Sequence, residues 1–288
     1  MDKLQRFFSD NWAIERREFA NMLALLAPCI IKGNLDQAEK LIAARKCRVR
    51  ATAAPYLAKW YELDDISLPV DSVAVIYLTG MLYAWETRWL IETIEAAKLN
   101  PQISGIVLVI DGPGGMVSGI DAAVAAIKGA NKPTATVVAG TMASAHFWLG
   151  TSTERTFIAS QLCEVGSVGV MTTYTSFKKF FETNGIDVRD IYPDTADLKN
   201  HEFRALEEDG DEGPIKERLA LIHKIFADTV AENLGITYDP ELELFRGAMF
   251  TADVAVAAGY IDQFGTVADA VTWVLAMATS RKAAQYNY

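Results

Sequence analysis

Short apolar runs alternate with amphipathic stretches along the central part of the chain. The apolar runs have the length of strands, and the stretches between them repeat apolar residues at helical spacing. A β-α-β rhythm of this kind is typical of an α/β fold in which helices cover a mainly parallel sheet. The strands are predicted at 73–78, 104–110, 134–139 and 156–158, and the helices at 85–98, 117–129 and 144–150.

The second half of the chain continues this rhythm less regularly. One stretch, 194–212, is polar and rich in turn residues and carboxylates, and we expect it to form a mobile loop or lid. Pro214 at a first-turn position and Thr251 as an N-cap mark two helix starts. The remaining elements are predicted as helices at 175–184, 214–234, 252–258 and 266–280 and as a strand at 187–192.

The beginning of the chain has a different pattern. Apolar residues at near-helical spacing predict a helix within 1–35, and a second, basic helix is predicted at 36–53. Prolines make 54–70 a linker. We therefore divide the chain into an N-terminal helical extension with its linker (1–70), a main domain (71–280) and a tail (281–288).

Composition narrows the class of protein. The chain has 288 residues, of which 51% are apolar, and its net charge of −10 argues against nucleic acid or an anionic membrane surface as the main partner. The one membrane-like run, 20–31, is too short to span a bilayer and contains Pro28, so we expect no membrane anchor. Three cysteines provide no disulfide framework and favour a reducing, cytoplasmic location. Cys163 is interpreted as a packed thiol.

Two loops of small residues follow predicted strands and carry the candidate chemistry. The first is Asp111–Gly115, and the second is Gly140–Ala145, in which Ser144 opens a helix. A serine at a helix start is most often a plain N-cap. Neighbouring parallel strands bring such loops side by side, however, so the backbone N–H groups of Gly114 or Gly115 and of Ala145 are placed to bind one carbonyl oxygen. Ser144 is then a candidate nucleophile.

A nucleophilic serine needs a base, and the chain has three histidines. His146 follows Ser144 by two residues, which on a helix points it away from the hydroxyl, and His223 lies in the middle of a predicted helix. The segment after the predicted strand 187–192 offers Lys199 and His201. Lysine serves as a base when burial lowers its pKa, and both candidates remain open at this point.

The run from Val73 to Ala270 resembles the signal peptide peptidase A family of Ser–Lys proteases, within the ClpP/crotonase superfamily. The matching motifs are Asp111–Gly115, Met142–Ala145, Gly166–Val170, Lys199 after an extended strand, and Phe250–Gly265. The resemblance implies a ClpP/crotonase-like fold and a mechanism without metal or other cofactor. It also assigns roles to individual residues: Ser144 as nucleophile, Lys199 as general base, Gly114, Gly115 and Ala145 as the oxyanion hole, and Ser167 as the residue that orients the lysine.

The N-terminal part is similar to the head-maturation proteases of tailed bacteriophages and prophages, because Trp12-Ala13-Ile14 leads into a predicted helix. This similarity implies a polypeptide substrate, capsid or scaffold proteins as partners, a homo-oligomer, and a location in the bacterial host cytoplasm or the phage procapsid. Two alternatives stay open. One is a cytoplasmic host protease of the signal-peptide-peptidase type, and the other is a non-catalytic or acyl-CoA-handling crotonase-fold protein.

The residues after Ser144 depart from the pattern of this family. Ser144 is followed by Ala145-His146-Phe147-Trp148, where family members often have smaller residues before two tyrosines. Tyr83, Trp85 and Trp89 are aromatic residues of the kind enriched at interfaces, and they favour self-association unless they pack on the N-terminal part of the same chain. A peptide substrate is expected to pair with 115–117 on one side and to meet 194–212 on the other.

Overall fold

The fold was obtained as a computed structural model. It describes residues 61–285 and, before them, 12–14, 24, 26–29, 31, 32, 34 and 48–52. The strands are β1 (Trp12–Ile14), β2 (Arg48–Thr52), β3 (Ser72–Leu82), β4 (Ile103–Met116), β5 (Thr134–Ala143), β6 (Arg155–Ile158), β7 (Glu164–Gly166), β8 (Met249–Thr251) and β9 (Gln263–Phe264). The helices are α1 (Ala84–Leu99), α2 (Ile120–Lys128), α3 (Ala145–Gly150), α4 (Lys178–Thr183), α5 (His201–Arg204), α6 (Gly213–Leu234), α7 (Ala252–Ala257) and α8 (Val267–Gln285).

The strands form one sheet with the order β2-β3-β4-β5-β6-β9. The pairings from β3 to β9 along this order are parallel, whereas β2 adds to the edge in the antiparallel sense. Strand β7 pairs with the end of β5, and β8 pairs with β7. The predicted α/β class, with β-α-β units and a mainly parallel sheet, is confirmed.

Helices bury both faces of this sheet, which explains why its central strands carry apolar residues on both faces over most of their length. In β3, Ala74, Ile76 and Leu78 belong to the cluster that includes buried residues of α1, α2, α3 and α6. The alternate residues Val73 and Val75 face the other way and pack with residues of α8. The side chains of successive strand residues point to opposite faces, so one strand contributes to two cores.

The N-terminal region contains strands where the sequence pattern predicts helices. Residues 12–14 form β1, which pairs with the end of β4, and residues 48–52 form β2, which pairs with β3. The helix predictions are therefore wrong for these two segments, because pairing with distant strands overrides the local pattern. Helical residues do occur within 24–31. Apart from 32, 34 and the end of the linker at 61–70, the rest of the predicted extension lies outside the described residues.

The segment between β7 and α6 also differs from its prediction. No strand occurs at 187–192, and Val188 and Ile191 are exposed. Their apolar character imitates a strand, but no neighbouring strand is there to pair with. The stretch 194–212 is a succession of short, largely exposed helical turns. Helix α8 extends beyond residue 280 into the predicted tail.

Among the residues that the structure describes, no helix combines the length and the apolar character that crossing a bilayer requires.

Candidate functional site

Ser144 lies at the sharp turn between β5 and α3. Its backbone has φ of 55° and ψ of −118°, a conformation that a residue with a Cβ adopts only at a cost of about 1–3 kcal/mol. Two hydrogen bonds hold this turn: the Ser144 N–H donates to the Gly166 carbonyl at 2.8 Å, and the Ser144 carbonyl accepts from the Trp148 N–H at 2.9 Å. Strained backbone of this kind clusters at active sites, so Ser144 is a candidate functional residue.

The side chain of Ser144 is covered in this structure. The residue has 0% exposure, and its hydroxyl donates to the backbone carbonyl of Gly169 at 3.3 Å. In this arrangement the hydroxyl is therefore not open to a ligand.

A carboxylate joins the two loops that the sequence singled out. Asp111, which follows the predicted strand 104–110, accepts a hydrogen bond from the Thr141 N–H at 3.0 Å. A Cβ on Gly140 would lie 2.3 Å from an oxygen of that carboxylate, so a larger residue there would require the Asp111 side chain to move. The expectation that neighbouring parallel strands bring the loops together is confirmed by this contact.

The Pro-Gly-Gly stretch is extended rather than a free loop. It forms the end of β4 and pairs with the end of β3, with an irregularity in the register between Thr79 and Met81. A Cβ on Gly115 would come within 1.9 Å of the Leu82 carbonyl oxygen, because the neighbouring backbone approaches so closely. Gly115 is therefore required by the close packing of β4 against β3.

His146 is the site residue whose position sequence reasoning did not foresee. Its ring is completely buried beneath the glycine stretch, and its Nδ1 accepts a hydrogen bond from the Gly114 N–H at 2.9 Å. Burial lowers the pKa of His146 from 6.5 to about 3, so the ring is neutral at physiological pH. The only signal in the sequence is a histidine two residues after the candidate serine, among the apolar residues of the helix that follows.

Because the His146 ring is buried, we expect the free energy of unfolding to depend on pH. Below pH 6.5 the unfolded chain binds a proton that the buried ring in the folded chain refuses until the pH falls to about 3, so the folded state loses stability through this window. The variant His146→Asn keeps an acceptor near the Nδ1 position and does not titrate. Between pH 7 and pH 5, we expect the free energy of unfolding to fall by about 2 kcal/mol more in the wild-type protein than in the variant.

Urea denaturation at both pH values measures this difference. The other titratable groups are common to both proteins and cancel in the comparison. Equal pH dependence of the two proteins would show that His146 binds a proton equally well in the folded and unfolded states.

The three backbone N–H groups expected to form the oxyanion hole differ in the hydrogen bonds open to them. Ala145 is the first residue of α3, where a backbone N–H has no acceptor within its own helix. Gly114 already donates to His146, and Gly115 lies within the strand pairing. Ser167 is half-buried with φ of 56°, and its N–H donates to the Ala248 carbonyl at 2.7 Å. The structure thus gathers Ser144, Ala145 and the glycine stretch without arranging all three N–H groups around one vacant point.

The candidate bases lie on the exposed turns that precede α6. Lys199 and His201 are both exposed, and neither side chain is hydrogen-bonded to Ser144. The turns are attached to the body of the protein by an ion pair in which Arg218 of α6 donates to Glu202 at 2.6 Å. His223 on α6 is half-buried, and burial lowers its pKa.

The aromatic residues expected at an interface pack inside this chain. Tyr83 is 3% exposed and stacks on Trp85 with ring centroids 4.5 Å apart. It also meets Trp12 of β1 edge to face at 6.3 Å. These contacts account for Tyr83 and Trp85 without a partner subunit, so self-association stays a prediction that rests on the family resemblance.

The remaining titratable groups do not add to the site. Cys163 is buried, its thiol lies 3.7 Å from the Val138 carbonyl, and burial raises its pKa, as fits a packed thiol. Within the described part of the chain, no three His, Cys, Asp or Glu side chains are grouped as metal ligands.

Several known proteins are similar to this chain. "Head-tail preconnector protein GP5" of Enterobacteria phage P21 is 27% identical over 71% of this chain and 41% of its own length. "Capsid assembly protease C" of Escherichia phage lambda is 26% identical over 70% of this chain and 48% of its own length. "Protease 4" of Salmonella typhi is 24% identical over 75% of this chain and 37% of its own length. The chain thus spans less than half the length of each of these relatives.

Among solved structures, a member of the enoyl-CoA hydratase/isomerase family aligns with a TM-score of 0.46 and 13% identity, over 82% of this chain and 76% of that one. The model of the family described as "Peptidase family S49" matches residues 126–280, which is more than half of the chain. This match includes Ser144, Ser167 and Lys199 and agrees with the resemblance seen in the sequence. The chain belongs to peptidase family S49.

Proposed function

We propose that this protein is a serine endopeptidase in which Ser144 and Lys199 form a catalytic dyad. The observation that carries the proposal is the strained turn at Ser144, which places a hydroxyl next to the first residue of α3, Ala145, whose N–H has no acceptor within its own helix. Membership in peptidase family S49 supports a peptide bond as the bond that is cleaved.

In the proposed reaction, the Ser144 hydroxyl attacks the substrate carbonyl while the neutral amine of Lys199 takes the hydroxyl proton. The carbonyl oxygen gains negative charge and is bound by the N–H groups of Ala145 and the glycine stretch, each worth about 3 kcal/mol in the transition state. Lys199 returns the proton to the leaving amine. Water then hydrolyses the acyl-enzyme on Ser144 with Lys199 as the base, which restores the free enzyme.

We infer that the substrates are capsid or scaffold proteins of a phage or prophage. Two of the most similar relatives are named as a phage head-tail preconnector protein and a phage capsid assembly protease, which supports this substrate class. The work would then take place in the bacterial host cytoplasm or inside the procapsid. The similarity to "Protease 4" supports the alternative of a host protease of the signal-peptide-peptidase type.

Labelling with a fluorophosphonate tests the nucleophile directly. We expect one covalent adduct per chain, located on Ser144 by peptide mass spectrometry and absent from Ser144→Ala. Separate incubations with phage capsid and scaffold proteins and with a signal peptide then distinguish the two substrate classes. A protein that is folded, remains unlabelled at Ser144 and cleaves neither class would contradict the proposal and favour the non-catalytic or acyl-CoA-handling alternative.

A further inference from the structure

Strand β1 lies between two segments that border the candidate site. On one side, Trp12–Ile14 pairs antiparallel with Met116, Gly115 and Gly114. On the other side, Trp12 exchanges both of its backbone hydrogen bonds with Met171, at 2.9 Å and 2.8 Å. A short stretch of chain therefore fills the space between the end of β4 and the segment that follows β7.

This space leads to the candidate nucleophile. The Ser144 hydroxyl is bonded to the carbonyl of Gly169, which precedes Met171 by two residues. If the antiparallel register of the Trp12–Met171 bridge is continued, Ile14 comes opposite Gly169. On its other side Ile14 is already opposite Gly114. The C-terminal end of β1 thus points along the groove toward Ser144.

We propose that β1 is an internal ligand of the peptide-binding groove, held as the residues that precede a scissile bond would be held, and that it keeps Ser144 covered until it is displaced. The inference rests on the proposed function in one respect, namely that the groove serves the nucleophile. Binding by strand addition satisfies backbone groups whatever the sequence of the ligand, so an internal segment and a substrate compete for the same edge.

The side chains of β1 indicate which peptides fit the groove. Trp12 and Ile14 are 1% and 5% exposed, and they form a cluster that is separate from the two main cores. Their neighbours in this cluster are Met81, Tyr83, Met116, Leu26 and Cys29, with Met171 packed against it. Methionine side chains adapt to ligands of different shape, as suits a surface with an exchangeable occupant. The groove therefore favours a large aromatic residue followed two positions later by a branched aliphatic one.

The state of the oxyanion donors agrees with a covered site. Because both polar backbone groups of Trp12 bond to Met171, those of Ala13 point to the opposite side, toward Gly115. The Gly115 N–H therefore faces β1, and the Gly114 N–H is engaged by His146. Removal of β1 frees the edge on which a substrate carbonyl would be bound.

The rival explanation is that β1 is a permanent part of the sheet with no effect on the nucleophile. Full-length Trp12→Ala distinguishes the two, because it weakens the anchoring of β1 without touching the proposed catalytic residues. We expect its fluorophosphonate labelling at Ser144 to be faster than that of the wild-type protein by about tenfold or more, which corresponds to roughly 1.4 kcal/mol. Trp12→Phe keeps a large aromatic side chain and should stay close to the wild-type rate.

The matched control is Trp273→Ala, which removes a tryptophan from α8 on the opposite face of the sheet. Its labelling rate should not rise. Thermal denaturation shows whether each variant is folded, and Ile14→Ala replaces Trp12→Ala if the latter is not. A folded variant that is labelled no faster than the wild-type protein overturns the proposal.

A binding measurement separates failure of this inference from failure of the proposed function. A fluorescent peptide containing Trp-Ala-Ile is titrated into Ser144→Ala and into Ser144→Ala with Trp12→Ala, and anisotropy is followed. Tighter binding to the double variant by about tenfold supports the internal ligand even if no peptidase activity is found. Equal binding by both, or equal binding of a peptide with aspartate in place of both apolar residues, contradicts it.

Discussion

Two replacements of Ser144 are expected to abolish activity equally and yet to differ in the free energy of unfolding. Ser144→Ala and Ser144→Gly both remove the nucleophilic hydroxyl, so each should lower kcat/KM for a peptide substrate by about 10⁴-fold or more. Glycine alone relieves the backbone, because φ of 55° with ψ of −118° penalises any residue that carries a Cβ. We expect the free energy of unfolding of Ser144→Gly to exceed that of Ser144→Ala by about 1 kcal/mol.

Urea denaturation and peptide hydrolysis by the same protein preparations measure the two effects. Since a covered groove implies low basal turnover, the kinetic comparison is repeated in the Trp12→Ala background. Ser152→Ala is a suitable control, because Ser152 is a buried serine whose hydroxyl donates to the Trp148 carbonyl at 2.8 Å, away from the turn. If Ser144→Gly were the less stable of the two variants, the backbone at position 144 would not be strained by the presence of a Cβ. If it retained hydrolysis, Ser144 would not be the nucleophile.

The central strands could be predicted from the sequence because burial on both faces leaves a simple trace. In β3, residues of both parities are apolar, since one set packs with α1 and α2 and the other with α8. Their ends could not be predicted in the same way. Strand β4 continues through Pro-Gly-Gly because β3 runs beside it that far, and a glycine-rich stretch alone is equally typical of a free loop.

Strands that form only by pairing with segments distant in sequence could not be predicted from local hydrophobic patterns. Strand β1 is three residues long. It is stabilised by pairing on both sides with segments far along the chain, one that contains Gly114 and one that contains Met171. The reverse error occurred at 187–192, where apolar residues such as Val188 and Ile191 have no neighbouring strand and stay exposed. Local sequence states what a segment prefers, whereas pairing depends on what the rest of the fold places beside it.

The candidate site, too, could be predicted only in part from the sequence. Ser144, Ala145 and the glycine stretch were predicted to meet because they follow adjacent parallel strands, and the contact between Asp111 and Thr141 shows that these strand ends do meet. His146 was expected to point away from the hydroxyl, but its bond to the Gly114 N–H depends on how closely α3 packs beneath β4. Lys199 is on an exposed turn, so its role remains a prediction.

Lys199→Ala is expected to lower kcat/KM by about 10³-fold or more if Lys199 is the base that activates Ser144. His201→Ala should retain most of the wild-type activity. Lys178→Ala and Lys179→Ala are matched controls, because both lysines are exposed on the neighbouring helix α4 and carry the same charge. They should behave as the wild-type protein does.

Two further readouts test the chemistry rather than the mere presence of a side chain. Small primary amines added to Lys199→Ala should restore part of the activity, since a free amine can occupy the vacated position and accept the Ser144 proton. The same amines should not restore activity to Ser144→Ala, because that variant lacks the hydroxyl that a base would activate. Rescue of His201→Ala by imidazole, together with full activity of Lys199→Ala, would assign the base to His201 instead.

Because Lys199 is exposed, this prediction also requires that its segment moves toward Ser144 when a substrate binds. Its segment is attached to α6 by the ion pair between Glu202 and Arg218 and is otherwise mostly in contact with solvent. We expect 194–205 to become protected from hydrogen exchange, together with 113–118, when Ser144→Ala binds peptide, because closure over the substrate is what would bring the amine to the hydroxyl. Saturated binding without protection of either segment would place the substrate elsewhere. Protection of 113–118 alone would mean that peptide enters the groove without Lys199, and the base would then have to be sought among groups already beside Ser144.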